Sequence, residues 1–384
     1  MSKIFHFIYQ FYRCSTAPLL SLVLVIALFA CRDQTQPVQE VTQETSPVQE
    51  VERDLTFNDV NLEQSDQQGR PVWKVEAKQA TYSKDRKIAQ VQNPTGQLFQ
   101  DGKPVYEISA LTGEIEQDGE RLFLKGQIVA KDPRHNLVLR GNELEWRPKE
   151  DLLLVRNQLT GSHPQVQAVA QEARVRSRKG LIELQGGVQA NANNPSLQMR
   201  TEHLLWRIQE QRLIGDRPLQ IDRYQNKQIT DKATANQGEV NLATKVTTLK
   251  QNAQISLLKP PMQISGNELN WNMNTEIVTA PQPIQIVHRQ QQLTVTADQG
   301  RMDLQQEVAY LNGNVTGVGQ RRQTLKAQAL TWYIPRQEME ANGNVAYTQV
   351  DPPASLTGQK AVGKLQDQTL VVSGGKVTTR VVPQ

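Results

Sequence analysis

The sequence predicts an elongated all-β array built from about ten copies of one two-strand unit. Three observations carry this. The hexapeptide GNELEW at 141–146 returns as GNELNW at 266–271. Around these copies a pivot position recurs at Tyr82, Ile115, Trp146, Val175, Trp206, Val240, Trp271, Met302, Trp332 and Gly363, at intervals of 29 to 34 residues. Beyond residue 55 apolar residues alternate in short runs and no period of 3.6 appears.

Each unit follows from its residues. A small residue stands five positions before the pivot in every copy, as in Gly141, Thr201, Gly266 and Ala327. Apolar residues at minus nine and minus seven share one strand face, whereas those at minus two and zero share the other. The phase therefore flips once within the strand, beside the small residue, as a β-bulge or sharp corner would do. A polar turn follows the pivot. A second strand then carries apolar residues at plus seven, nine and thirteen, often with Gly at eleven: Leu122, Leu124, Gly126, Ile128, and again Met339, Ala341, Gly343, Val345. Ten such units make about twenty strands, arranged as one continuous array over 55–384 or as two tandem halves, about 55–220 and 221–384.

The N-terminus reads as an export signal over 1–30. Lys3 and Arg13 precede the apolar run LLSLVLVIALFA, which is too short to span a bilayer comfortably. The run ends Leu28-Phe29-Ala30-Cys31, similar to the lipobox of bacterial lipoproteins, in which the cysteine is lipidated and becomes the first residue. The alternative is an uncleaved signal-anchor helix. Residues 31–54 are rich in Pro, Gln, Thr and Glu, repeat PVQEV, and form a disordered tether.

Composition excludes several functions. A net charge of +4 with both signs interspersed is no nucleic-acid footprint. Of the two cysteines, Cys14 lies in the signal and Cys31 at its end, so neither a disulfide nor a cysteine-based metal site is expected in the mature chain. No catalytic residues, metal or cofactor are expected. The five histidines show no metal or triad spacing, and His203 reads as an exposed strand position. Glu143 and Glu268 occupy equivalent places four units apart, roughly 19 Å or more at one strand per unit. A glycosidase carboxylate pair needs about 5–9.5 Å.

The unit of small residue, apolar pivot, polar turn and Gly-x-apolar strand resembles the OstA-type repeat of the LptC and LptA family of periplasmic lipopolysaccharide-transport proteins. The resemblance covers 55–384, in a chain about twice as long as the short LptC proteins. It implies an open β-jellyroll folded like a taco shell; a parallel β-solenoid is the alternative. It further implies a lipid bridge that binds the acyl chains of lipopolysaccharide. The implied partners are inner-membrane ABC transporter subunits of the Lpt type and either an LptA-like bridge or the N-terminal domain of an outer-membrane LptD-like protein. The implied location is the periplasm, anchored to the inner membrane. A structural, scaffolding repeat lipoprotein is the other function class.

Holding acyl chains in water costs about 0.8 kcal/mol per CH₂, on the order of 10 kcal/mol for a dozen carbons. A trough with one apolar set per unit offers nearly constant burial along its length. The expected lining is Ile115, Trp146, Val175, Trp206, Val240, Trp271 and Met302, with Leu144, Leu204 and Leu269; packing of these side chains against one another is the competing reading. An array not closed into a barrel has two free edges. The N-terminal one should begin around 55–64. The C-terminal one, 369–382, is apolar and β-branched through Leu370, Val371, Val372, Val377 and Val381, and is expected to dock the next shell-like protein by strand addition.

Overall fold

A computed structural model describes residues 55–381, apart from 84–86, 117–118, 120, 321 and 368. The expected signal, Cys31 and the tether lie outside the described residues. Within them are 28 strands and two single-turn 3-10 helices, Pro148–Glu150 and Ser177–Lys179, with no α-helix. Fourteen of the strands join end to end as seven bent pairs, such as Arg212–Gly215 with Leu219–Gln225, so the chain makes twenty-one passes.

Every pairing between passes is antiparallel, and each pass except the first and last described bonds to the one before and the one after. Leu137–Arg147, for example, lies between Leu122–Asp132 and Leu152–Ser162. This overturns the β-solenoid alternative, whose successive coils would pair in parallel. The described residues form an elongated jellyroll: each pass crosses a bend and contributes one half to each of two facing half-sheets.

The bend takes two alternating forms. In pivot passes the phase flips as the sequence predicts. Leu137 and Leu139 are buried before the bend and Leu144 and Trp146 after it, and the register to the next strand slips between Arg140 and Glu143. In six of the intervening passes the phase is kept and two consecutive residues are left-handed: Gly126-Gln127, Asn157-Gln158, Gly186-Gly187, Gln251-Asn252, Gly313-Asn314 and Gly343-Asn344. Gly and Asn tolerate that conformation best, which accounts for the recurring glycine at plus eleven.

The small residue at minus five has a different cause from the one expected. Gly141 and Gly266 have no positive φ. A Cβ on Gly141 would lie 2.8 Å from Val155 Cγ1 and 2.9 Å from the Arg156 carbonyl oxygen, and one on Gly266 would lie 2.9 Å from the Pro283 carbonyl oxygen. The neighbouring pass, bulging at its own corner, leaves no room for a side chain.

Inward side chains of the two half-sheets form one continuous core from Trp73 to Ala361. Opposite the bend, the hairpin turns make two lips. One lip carries the turns that follow the pivots, such as those around Ser177, Gln211 and Glu276. The other carries the turns around Asp101, Gln165, Asn226 and Pro260.

Candidate lipid channel and docking edges

All ten residues expected to line a lipid path fall in the core, exposed by 3% or less. Ile115, Leu144, Trp146, Val175, Leu204, Trp206, Val240, Leu269, Trp271 and Met302 thus share one interior surface. Alternate pivot passes bring the four pivot tryptophans, with Trp332 the last, onto the same half-sheet. Trp73, from the opposite half-sheet and outside the pivot series, joins the same core.

These tryptophans raise an accounting question. The indole N–H groups of Trp73, Trp146, Trp206, Trp271 and Trp332 are buried with no hydrogen-bond partner. A buried unsatisfied donor costs roughly 1–3 kcal/mol, and a phenylalanine would avoid it.

Each pivot tryptophan meets a side chain from the opposite half-sheet. The Tyr106 ring stands edge-on to Trp146 at 6.1 Å and His163 edge-on to Trp206 at 5.1 Å. The Arg223 guanidinium lies 5.6 Å from the Trp271 ring, and His288 is tilted against Trp332 at 5.8 Å. Burial lowers the pKa of His163 and His288, favouring their neutral forms, and raises that of Tyr106 despite its bond to Ser177. The sequence reading missed these covering residues. Their signal was a recurrence at about every two units, hidden because four different residue types fill the role.

The two lips are tied together by polar contacts. Arg178 grips Asp101 through two bonds of 2.7 and 2.9 Å, and the Tyr106 and Ser177 hydroxyls are 2.8 Å apart. The Gln165 amide donates to Gln211 Oε1 at 3.0 Å. Arg223, its side chain only 11% exposed, bonds Asp231 on its own lip at 3.2 Å and reaches across to Glu276. Burial raises the Asp231 pKa, while Thr230 and Arg223 pull the other way.

His203 is not the exposed strand position expected. It is half-buried between two carboxylates, with Nδ1 2.7 Å from Asp216 Oδ1 and Nε2 3.1 Å from Glu183 Oε1. Burial opposes its charged form, but the two carboxylate contacts prevail and raise its pKa.

Both ends of the array present strand edges. Leu55–Ser65 pairs only with Pro71–Tyr82 among the described residues, and its Leu55 and Phe57 are 43% and 49% exposed. At the other end Thr369–Ser373 and Thr378–Val381 pair, among the described residues, only with Ala354–Lys364. Val371 is 65% exposed and Val377 45%, Leu370 and Val372 are half-buried, and Val381 ends the last described strand.

Among the described residues no cluster of His, Cys, Asp or Glu could hold a metal ion, and no helix is long and apolar enough to cross a membrane. No curated protein matches the sequence. The family described as "Lipopolysaccharide-assembly, LptC-related" matches it twice, over residues 18–153 and 138–257, together more than half of the chain. With an antiparallel jellyroll of bent strands around one long apolar core, and this match along its first two thirds, the chain belongs to the LptC-related family of lipopolysaccharide-assembly proteins.

Proposed function

We propose that this protein is a periplasmic, membrane-anchored bridge that passes lipopolysaccharide through the interior of its shell, from an inner-membrane ABC transporter toward the outer membrane. The observation that carries the reading is the uninterrupted apolar core between two half-sheets, which continues unit after unit at near-constant composition. Membership of a family that works in lipopolysaccharide assembly supports it. Lipid tails would replace contacts that the core residues now make with each other, the half-sheets parting as the bends flex. Cys31 would bear the lipid anchor, and the edge at 369–381 would pair with the N-terminal edge of the next shell-like protein.

A second reading, a scaffolding array, is favoured by the tightness of the core, where Trp146 and Trp271 are wholly inaccessible. Photocrosslinking separates the two. A photoreactive residue at position 206 or 271 yields a lipopolysaccharide adduct in cells if the interior carries lipid, and only protein adducts if the array is a scaffold. Mass spectrometry of the mature N-terminus tests the anchor: a diacylated Cys31 is expected, and an intact Met1 end rejects it. Deleting 369–384 should leave a folded protein that no longer captures its periplasmic partner; undiminished capture means that docking occurs elsewhere.

A further inference from the structure

The lips are tied through the middle of the array, and the last ion pair across them among the described residues is Arg223–Glu276. Nearer the C-terminus they stand apart around a cavity of about 170 Å³. Leu293 and Leu325 wall it on one side; Met339, Leu365 and Leu370 wall it on the other. Gly317 and Gly319 keep its rim low, and the amides of Gln291 and Gln320 stand at its margin. Its walls include no carboxylate, whereas the two other gaps between the lips, around Asp101 and around Asp231, are both lined by acids.

Size and lining together select an occupant. An apolar cavity of about 150 Å³ stays dry and takes a benzene-sized guest. This one is slightly larger and opens between two lips, a shape that admits the last half-dozen carbons of an alkyl chain. Met339, in its wall, pairs with Trp332, so a chain inserted here would abut the core directly.

We propose that this cavity is a lateral port: the one described place where the shell takes or releases an acyl tail sideways, while the tied lips upstream confine a tail to movement along the axis. The proposal rests on the lipid-carrying reading above. The port holds the terminal, unbranched part of a single acyl chain, and its headgroup stays outside in water. The lack of carboxylates lets an anionic headgroup wait at the mouth without repulsion.

The test uses the full-length protein in nanodiscs and, as probe, dodecanoic acid carrying a diazirine at its terminal carbon. After photolysis, adducts are mapped by peptide mass spectrometry. The expected result is labelling concentrated on peptides that contain Leu325, Met339 and Leu370. Filling the cavity with Leu325→Phe or, independently, Leu370→Trp should lower it about tenfold, the loss of roughly 1.4 kcal/mol of binding, in variants whose melting curves are unchanged. Labelling at Trp206 and Trp271 peptides but not at the cavity would overturn the port and leave the lipid-carrying reading standing. No adduct anywhere in the shell would overturn both. Labelling of the cavity only after deletion of 382–384 would mean that the chain's own tail occupies it, which also overturns the port.

Discussion

The middle of the shell and its C-terminal mouth are built from the same unit, yet they are held in different ways. Around Trp146, Trp206 and Trp271 the two half-sheets are clamped twice, by the apolar core and by polar contacts that join one lip to the other. Around Met339 and Leu370 the core persists but the lips stand apart. Since the backbone unit is constant, the difference lies in a few lip side chains. Repetition sets the shell; where it can part is set by residues that the repeat leaves free to vary.

The largest test of that contrast is the buried tie. Arg223→Met leaves Asp231 and Glu276 without their partner in a largely buried setting, and should cost roughly 3 kcal/mol. Arg178→Ala, which cuts an exposed tie, should cost under about 1 kcal/mol. Lys364→Met, at the open mouth, should stay within about 0.5 kcal/mol. Urea denaturation of the three variants checks the order; equal midpoints would mean that the ties hold nothing.

A second comparison uses glycine. Gly266→Ala forces a Cβ to 2.9 Å from the Pro283 carbonyl oxygen and should cost about 1–3 kcal/mol. Gly317→Ala, at the mouth, has nothing nearer than 3.9 Å and should be neutral or stabilise by about 0.4–1 kcal/mol through the unfolded chain. Thermal melts of both variants distinguish close packing from mere small-residue preference.

The smallest effect is a pH dependence. His203 has a folded pKa above its unfolded value of about 6.5. Its charged contacts with Asp216 and Glu183 therefore add stability that is full below about pH 6.5 and is lost as pH rises through the folded pKa. His203→Gln should lower the melting temperature at pH 5.5 and have little effect at pH 9, with under about 1 kcal/mol at stake because Asp216 is well exposed. An equal loss at both pH values would mean that the imidazole acts by packing alone.

Much of this fold was legible because a strand writes its burial with a period of two. The phase flip beside Gly141 and Gly266 could be read from the positions of Leu139, Leu144 and Trp146, and the eight pivots from Ile115 to Trp332 lie in the core, while the outer two, Tyr82 and Gly363, are only half-buried. What the glycine is for could not be read, because the colliding atoms belong to the neighbouring pass. The left-handed corners were half visible. Gly313-Asn314 announces one, but Asn157-Gln158 and Gln251-Asn252 adopt the same conformation without a glycine. The lip ties were invisible, since Asp101 and Arg178 are 77 residues apart and Gln165 and Gln211 are 46 apart. Sequence spacing says nothing of two lips until the fold aligns them. His203 was misjudged for a similar reason, because Asp216 reaches it from the next pass.

Pairing of each pass with only its two sequence neighbours turns chain length into reach. Twenty-one passes at about 4.8 Å per strand give the shell a span on the order of 100 Å before twist is counted. Each further unit of two strands would add about 10 Å without altering any existing hydrogen bond. Insertions and deletions of whole units would therefore act as a ruler, changing the distance that one molecule can bridge while leaving its cross-section untouched.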